Sequence, residues 1–302
     1  MTTENINIAI LGPVSAGKST FFNALCSNTC SDMKRKKTTM LPQIYQTTNG
    51  DNIDSIESIY EKNKKSNEEI LVKRESGKFN HAVDFKEINH TIKVIPDFIH
   101  FDNDNTSYSI LDMPGLNDGG NSLYYDYIKQ NSHKIDIYIL VFDLNSGLNT
   151  TDEINIINMV VDEIEKNKNG YIHVIINKCD EITFKKDKVI LEDAELNECY
   201  ERSLMIIKEK CKNVSYSVSP LCSSKLYIFR SVRNNIDVID EGQLDNIIKL
   251  ECGKQELKKL KDIKMKRKFI SGLLNKSSNN MYDDWMTSTG YNKFKESINF
   301  IV

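Results

Sequence analysis

Apolar and polar positions along the chain alternate between short continuous runs and longer stretches with helical spacing. Residues 6–11 (INIAIL) form a short apolar run with polar flanks and read as a buried strand. The segment "GPVSAGKS" turns through two glycines and continues as a helix from residue 18 to about 26. Residues 134–142 (KIDIYILVF) and 171–176 (YIHVII) are rich in β-branched residues, as parallel strands covered on both faces are. Between them, Ile154, Ile157, Val161 and Ile164 recur at helical spacing across residues 152–166. Ile56, Ile59 and Tyr60 give residues 54–67 a helical pattern as well. Residues 97–101 and 107–111 read as two strands joined by the turn "DNDNT". A helix over 191–211 and a strand over 214–219 complete the alternation. It predicts an α/β fold: a mostly parallel central sheet with helices on both faces. Residues 28–39 read as a flexible polar stretch.

After Ser224 the rhythm changes. Residues 225–281 read as helical, and residues 289–301 place Tyr291, Phe294, Ile298 and Ile301 on one face, as a closing helix would. The expectation is one domain over 1–302, with a small helical insertion at about 225–285 and Trp285 as an anchor for the last helix. Residues 254–268 carry eight Lys/Arg against Glu256 and Asp262, with Leu257, Leu260, Ile263 and Ile270 on a rough stripe. Two uses fit: a core-packed stripe with a wet basic face, which is the commoner, or a face for anionic lipid or a partner. The run "KRKK" at 34–37 reads as a solvated flank before a contact for an acidic partner.

The chain has 302 residues, 39% hydrophobic and 27% charged, which fits a globular protein with a core to bury. A net charge of -3 offers no general attraction to nucleic acid or to an anionic membrane. Seven cysteines scattered without paired spacing argue for a reducing, cytoplasmic setting rather than a disulfide framework. The first residues, MTTENINIAIL, lack the basic flank and apolar length of a signal peptide, and no run approaches the ~20 apolar residues that span a bilayer.

Three motifs carry the chemistry. Gly12, Gly17, Lys18 and Ser19 give G-x-x-x-x-G-K-S between a strand and a helix. Backbone N–H groups from Gly12 through Ala16, Gly17 and on to Thr20 would converge on phosphates at a helix N-terminus. Lys18 would reach the β- and γ-phosphates, and the Ser19 hydroxyl would ligate Mg2+. "ILDMPGL" then places Asp112 at the end of an apolar strand, suited to Mg2+, with the Gly115 N–H toward the γ-phosphate. "VIINKCDEI" supplies Asn177, Lys178 and Asp180, N-K-x-D after a third strand. A carboxylate at Asp180 accepts from both guanine donors, N1–H and the 2-amino group, which adenine lacks. The Lys178 stem can cover the base, and Asn177 can tie this loop to the phosphate loop. The motifs point to GTP and GDP.

Phosphate loop, D-x-x-G and N-K-x-D together resemble the GTPase domain, and the form here is similar to the dynamin superfamily. That group carries Ser at the fourth place of the phosphate loop, where Ser15 stands, and a switch threonine in T-x-x-P, matched by Thr39 and Pro42 in "TMLP". A long segment between that threonine and D-x-P-G is also shared. The resemblance runs from Ile6 to about Ser219. It implies the P-loop GTPase fold and hydrolysis of GTP to GDP and phosphate. Thr39, with Thr38 its close rival, would close over Mg2+ and orient the attacking water. Small GTPases use a glutamine where Leu116 stands; dynamin-like proteins use the loop serine, here Ser15, with a cation ordered by homodimerisation across the nucleotides. No arginine lies in the loop, so that charge must come from elsewhere. The fifth base-contacting loop resembles "VSPLCSS", with Ser219 as its first residue. No long stalk is recognisable, so membrane remodelling does not carry over with the motifs. Two functions stay open: a GTPase stimulated by dimerisation, or a GTP-dependent switch with negligible turnover that recruits a protein partner.

Overall fold

Side chains alternate across a strand, and in strand β1 (Asn5–Leu11) both sets are buried. Ile8 and Ile10 join one core, while Ala9 and Leu11 join another on the opposite face of the sheet. β5 (Ile137–Asp143) repeats this, with Ile137, Ile139 and Val141 on the first side and Tyr138, Leu140 and Phe142 on the second. Strands buried on both faces need helices on both, and the computed structural model has them. It describes residues 5–31, 33, 39–93, 95, 107–116, 122–180, 182–185, 188–191, 193–276 and 280–299.

The remaining strands of the main sheet are β2 (Gln43–Thr48), β3 (Ile88–Lys93), β4 (Ser107–Asp112), β6 (Tyr171–Asn177) and β9 (Tyr216–Leu221). Their order is β3-β2-β4-β1-β5-β6-β9. Every neighbouring pair is parallel except β2 with β4. The fold is therefore the mostly parallel α/β sheet that the P-loop GTPase pattern requires. One core lies under α1 (Lys18–Cys26), α2 (Ile56–Glu75), α7 (Ser223–Asn234), α8 (Glu241–Cys252), α10 (Ile263–Lys276), α11 (Asn280–Ser288) and α12 (Tyr291–Asn299). The other lies under α4 (Ser122–Asn131), α5 (Thr151–Asn167) and α6 (Ala194–Lys210). A single turn, α3 (His81–Asp84), stands between α2 and β3.

Several elements depart from the sequence expectation. β2 and β3 carry no apolar run, since QIYQTT and INHTIK look polar; alternate residues are nonetheless buried. α4 is a further helix that the apolar pattern does not announce. Leu191 does not open a helix: it ends strand β8 (Lys188–Leu191), paired antiparallel with β7 (Ile182–Lys185). The helix starts at Ala194 because the Asp193 side chain caps it, accepting from the Glu195 and Leu196 N–H groups. The strand expected at 97–101 lies outside the described residues, as do Thr38 and Lys34–Lys37. Residues 28–31, expected to be flexible, are fixed: Asn23 Oδ1 accepts from the Cys30 and Ser31 N–H groups, and its Nδ2 donates to the Ser31 carbonyl.

The basic stretch is not one helix. A short α9 (Lys254–Leu257) stops, and α10 begins at Ile263. Ile270 is in the core, with Leu257, Leu260 and Ile263 packed against it. Lys266 is buried between Glu241 and Asp245, at 2.7 and 2.6 Å. Trp285 stacks on Phe229 with ring centroids 4.6 Å apart and donates to Glu251. Tyr291, Phe294 and Ile298 are buried in the same cluster as Ile8 and Ile10. Among the described residues, no helix is long and apolar enough to cross a membrane.

Candidate nucleotide site

The chain leaves β1 at Leu11 and must turn at once under β5. At Gly12 an added Cβ would sit 2.2 Å from the Val141 carbonyl oxygen, so only glycine fits. Ser15 stands exposed at the loop tip with φ 64, a left-handed conformation that non-glycine residues seldom adopt. Gly17, at φ 100, opens α1 with no side-chain cap on the first turn. That leaves a helix N-terminus whose N–H groups are disposed toward an anion. Lys18 is buried, and its Nζ donates back to the Gly12 and Pro13 carbonyls at 3.1 and 2.8 Å, holding the loop closed. Ala16 is buried; Thr20 is half-buried on α1.

Three oxygen-bearing side chains meet beside this loop. Ser19 Oγ lies 3.3 Å from Thr39 Oγ1 and donates to Asp112 Oδ2 at 3.3 Å. Asp112 is fully buried, and its Oδ1 has no hydrogen-bond partner among the described residues. Burial pushes its carboxyl up to about 6, against the lowering effects of the Lys18 charge and the Ser19 hydrogen bond. The D-x-P-G turn packs on the phosphate loop. The Leu116 N–H donates to the Gly12 carbonyl, and a Cβ at Gly115 would sit 2.3 Å from the Val14 side chain. Leu116 itself is buried.

The third loop joins the first. Asn177 Nδ2 donates to the Ala16 carbonyl at 2.8 Å, and its Oδ1 accepts from the Ser223 N–H at 3.1 Å. Lys178 is left-handed at φ 64 and pairs with Asp143 at 2.5 Å, at the end of β5. Asp180 is exposed. Its Oδ1 accepts from Cys222 Sγ at 2.8 Å, and Lys225 donates to its backbone carbonyl. Burial, then the Asp180 contact, pushes the Cys222 thiol up to about 11, so it stays a protonated donor.

Ser219 is not on this loop. It sits inside β9, fully buried, in register with Ile175. β9 continues through Pro220 because it is an edge strand, where a missing N–H costs no ladder bond on the open side. The residues facing Asp180 and Asn177 are Cys222, Ser223 and Ser224 instead. Strand register places them there: Leu221 pairs with Asn177, so the two loops leave the sheet together.

The model of the Dynamin family matches residues 8–179, from the first buried residue of β1 to the N-K-x-D loop. The chain belongs to the dynamin family. This dynamin-like G domain is similar to an uncharacterized protein of Acanthamoeba polyphaga mimivirus, with 28% identity over 198 residues, 63% of this chain. The match spans about a third of that relative, 32% of its length. Among solved structures, an oligomerised bacterial dynamin pair is similar at a TM-score of 0.45, with 16% identity over 89% of this chain and 40% of that one. Era, in complex with MgGDPNP and a segment of 16S ribosomal RNA, is similar at a TM-score of 0.42, with 17% identity over 80% of this chain and 59% of that one.

Proposed function

We propose that this chain is a single G domain that binds GTP with Mg2+ and hydrolyses it to GDP and phosphate, faster when two copies meet across their nucleotides. The observation that carries the reading is the meeting of Ser19, Thr39 and Asp112 at the mouth of the phosphate loop, with Asp112 Oδ1 buried and unpartnered among the described residues. Hydroxyl and carboxylate oxygens at one point suit a hard divalent cation, and Mg2+ there would neutralise charge on the β- and γ-oxygens.

In this reading Gly12, Ser15, Ala16, Gly17, Lys18, Ser19 and Thr20 hold the phosphates, and the Gly115 N–H faces the γ-phosphate. Asp180 reads guanine, Lys178 covers the base from its place on Asp143, and Asn177 locks the base loop to the phosphate loop. Ser219 is too deep in β9 to reach the base, so the fifth contact passes to Cys222–Ser224. The Ser15 hydroxyl, exposed at the loop tip, orients water or contacts the bridging oxygen; Leu116, buried and apolar, has no group that could do so. The Thr39 backbone carbonyl aligns the attacking water. The charge that the loop does not supply comes from the second copy.

The experiment is GTP hydrolysis per molecule of protein across a wide concentration range with Mg2+ present. A specific rate that climbs with concentration is expected. Ser15→Ala and Thr39→Ala should each lower turnover by roughly 100-fold; parent-like rates in both would overturn the mechanism. A second reading, a switch that recruits a protein partner, draws on the lack of an arginine in the phosphate loop. It predicts a flat, very slow rate despite tight GTP binding.

A further inference from the structure

Both backbone polar groups of Met40 are taken by side chains from elsewhere. Its N–H donates to Asn67 Oδ1 on α2 at 2.7 Å, and its carbonyl accepts from the Tyr124 hydroxyl on α4 at 3.0 Å. That hydroxyl accepts in turn from Arg74 Nη2, also on α2, at 2.9 Å. Arginine is a permanent donor, so its N–H occupies a lone pair of the phenol oxygen and leaves the hydroxyl hydrogen for the Met40 carbonyl. The guanidinium lies over the Phe79 and Tyr124 rings, 4.7 and 5.5 Å from their centroids, which fixes its plane. Met40 is buried with Leu41, Ile70 and Ile88 in a small cluster apart from the two main cores. Tyr124 is fully buried, so water is poorly placed to replace its hydroxyl.

Met40 is the neighbour of Thr39, whose hydroxyl reaches Ser19. The helix α4 follows the D-x-P-G turn, and α2 belongs to the long segment between Thr39 and Asp112. We infer that Asn67, Arg74 and Tyr124 are positioning residues that hold Thr39 in its working place through the backbone of Met40. The inference rests on the GTPase reading above. It gives the long segment a role, because α2 supplies two of the three groups, and α4 ties the threonine to the chain that leaves D-x-P-G. The backbone of one residue thus links both segments to Thr39.

The test uses the full chain with Mg2+, and measures single-turnover GTP hydrolysis together with affinities for GDP and a non-hydrolysable GTP analogue. Tyr124→Phe and Asn67→Ala should each slow hydrolysis by about tenfold, the factor that one buried hydrogen bond is worth. Each should also weaken the analogue relative to GDP, with GDP affinity held within about twofold. Asn67→Asp keeps an acceptor for the Met40 N–H and should restore both values. A merely structural role would lower the melting temperature and both affinities together, leaving their ratio unchanged. That result, or parent-like rates and ratios in both variants, overturns the inference while the GTPase reading stands. A parent protein that binds no guanine nucleotide overturns both.

Discussion

Asn177, at the end of β6, donates its side-chain amide to the Ala16 carbonyl in the phosphate loop at 2.8 Å. The approach is so close that a Cβ on Gly17 would meet Asn177 Nδ2 at 2.1 Å. Because Asn177 also accepts from the Ser223 N–H, one buried amide joins three loops that are 161 and 46 residues apart in sequence.

Asn177→Ala removes both bonds and leaves the Ala16 carbonyl and Ser223 N–H buried without partners. We expect GTP to bind roughly 100-fold more weakly, from two hydrogen bonds at about 1–1.5 kcal/mol each. Titration calorimetry checks this. Gly17→Ala, strained at positive φ and in collision with Asn177, should abolish binding.

Asp180 is exposed and its carboxylate is held by Cys222. Asp180→Asn keeps the size but loses one acceptor, so preference for GTP over other purine triphosphates should collapse. A fall of about 30- to 100-fold in GTP affinity is expected. Competition binding with ATP and GTP reads it, and an unchanged preference would contradict the base-reading role.

Arg230 is a stability prediction independent of nucleotide. It is buried, donates from Nε to the Ala24 carbonyl at 2.8 Å and from Nη2 to the Leu25 carbonyl at 3.0 Å, and lies over the Tyr291 ring at 4.9 Å. It caps the C-terminal end of the phosphate-loop helix from α7, while its guanidinium rests on α12. Arg230→Met should cost about 3 kcal/mol in urea unfolding, since two buried carbonyls lose a charged donor. Arg230→Lys should recover only part, as an ammonium cannot reproduce the fork.

Stability should also fall in mild acid. Burial lowers His173 to about 3 and, with the Lys62 charge second, His90 to about 4. Between those values and 6.5 the unfolded chain takes protons that the native histidines refuse, so stability drops as pH falls. The slope is at most about 1.4 kcal/mol per pH unit for each histidine. Asp112, raised to about 6, works the other way below that value in the nucleotide-free protein, because there the native state holds the extra proton. Urea unfolding at about pH 7 and about pH 5 should show the net loss, and His173→Gln should reduce it.

The strands that were legible in the sequence are those whose environment is symmetric. β1, β5 and β6 are covered on both faces, so their residues are almost continuously apolar, although β5 starts at Ile137, three residues into the expected run. The helix α5 was legible because one face is buried, which spaces its apolar residues at helical intervals. β2 and β3 were hidden, because their polar-looking residues face a buried polar network. In it Asn63 donates to Tyr45 Oη, His90 bonds Asn63, and Tyr45 donates to Gln43. Polar atoms satisfied by one another can line a core, and no periodicity in the sequence announces the partners.

The sequence by itself determined the order of motifs: G-x-x-x-x-G-K-S, an aspartate after a strand, and N-K-x-D after another. Those depend on local requirements, such as positive φ at Gly17 and a carboxylate at a strand end, and local requirements are written in residue type and spacing. Only the tertiary structure decided which distant residues complete them. Strand register set Cys222–Ser224 beside Asp180 in place of Ser219, because Leu221 pairs with Asn177. Helix packing brought Asn67 and Tyr124 to the backbone N–H and carbonyl of Met40, beside Thr39. Contacts of that kind arise from how whole elements pack, and no single stretch of the chain encodes them.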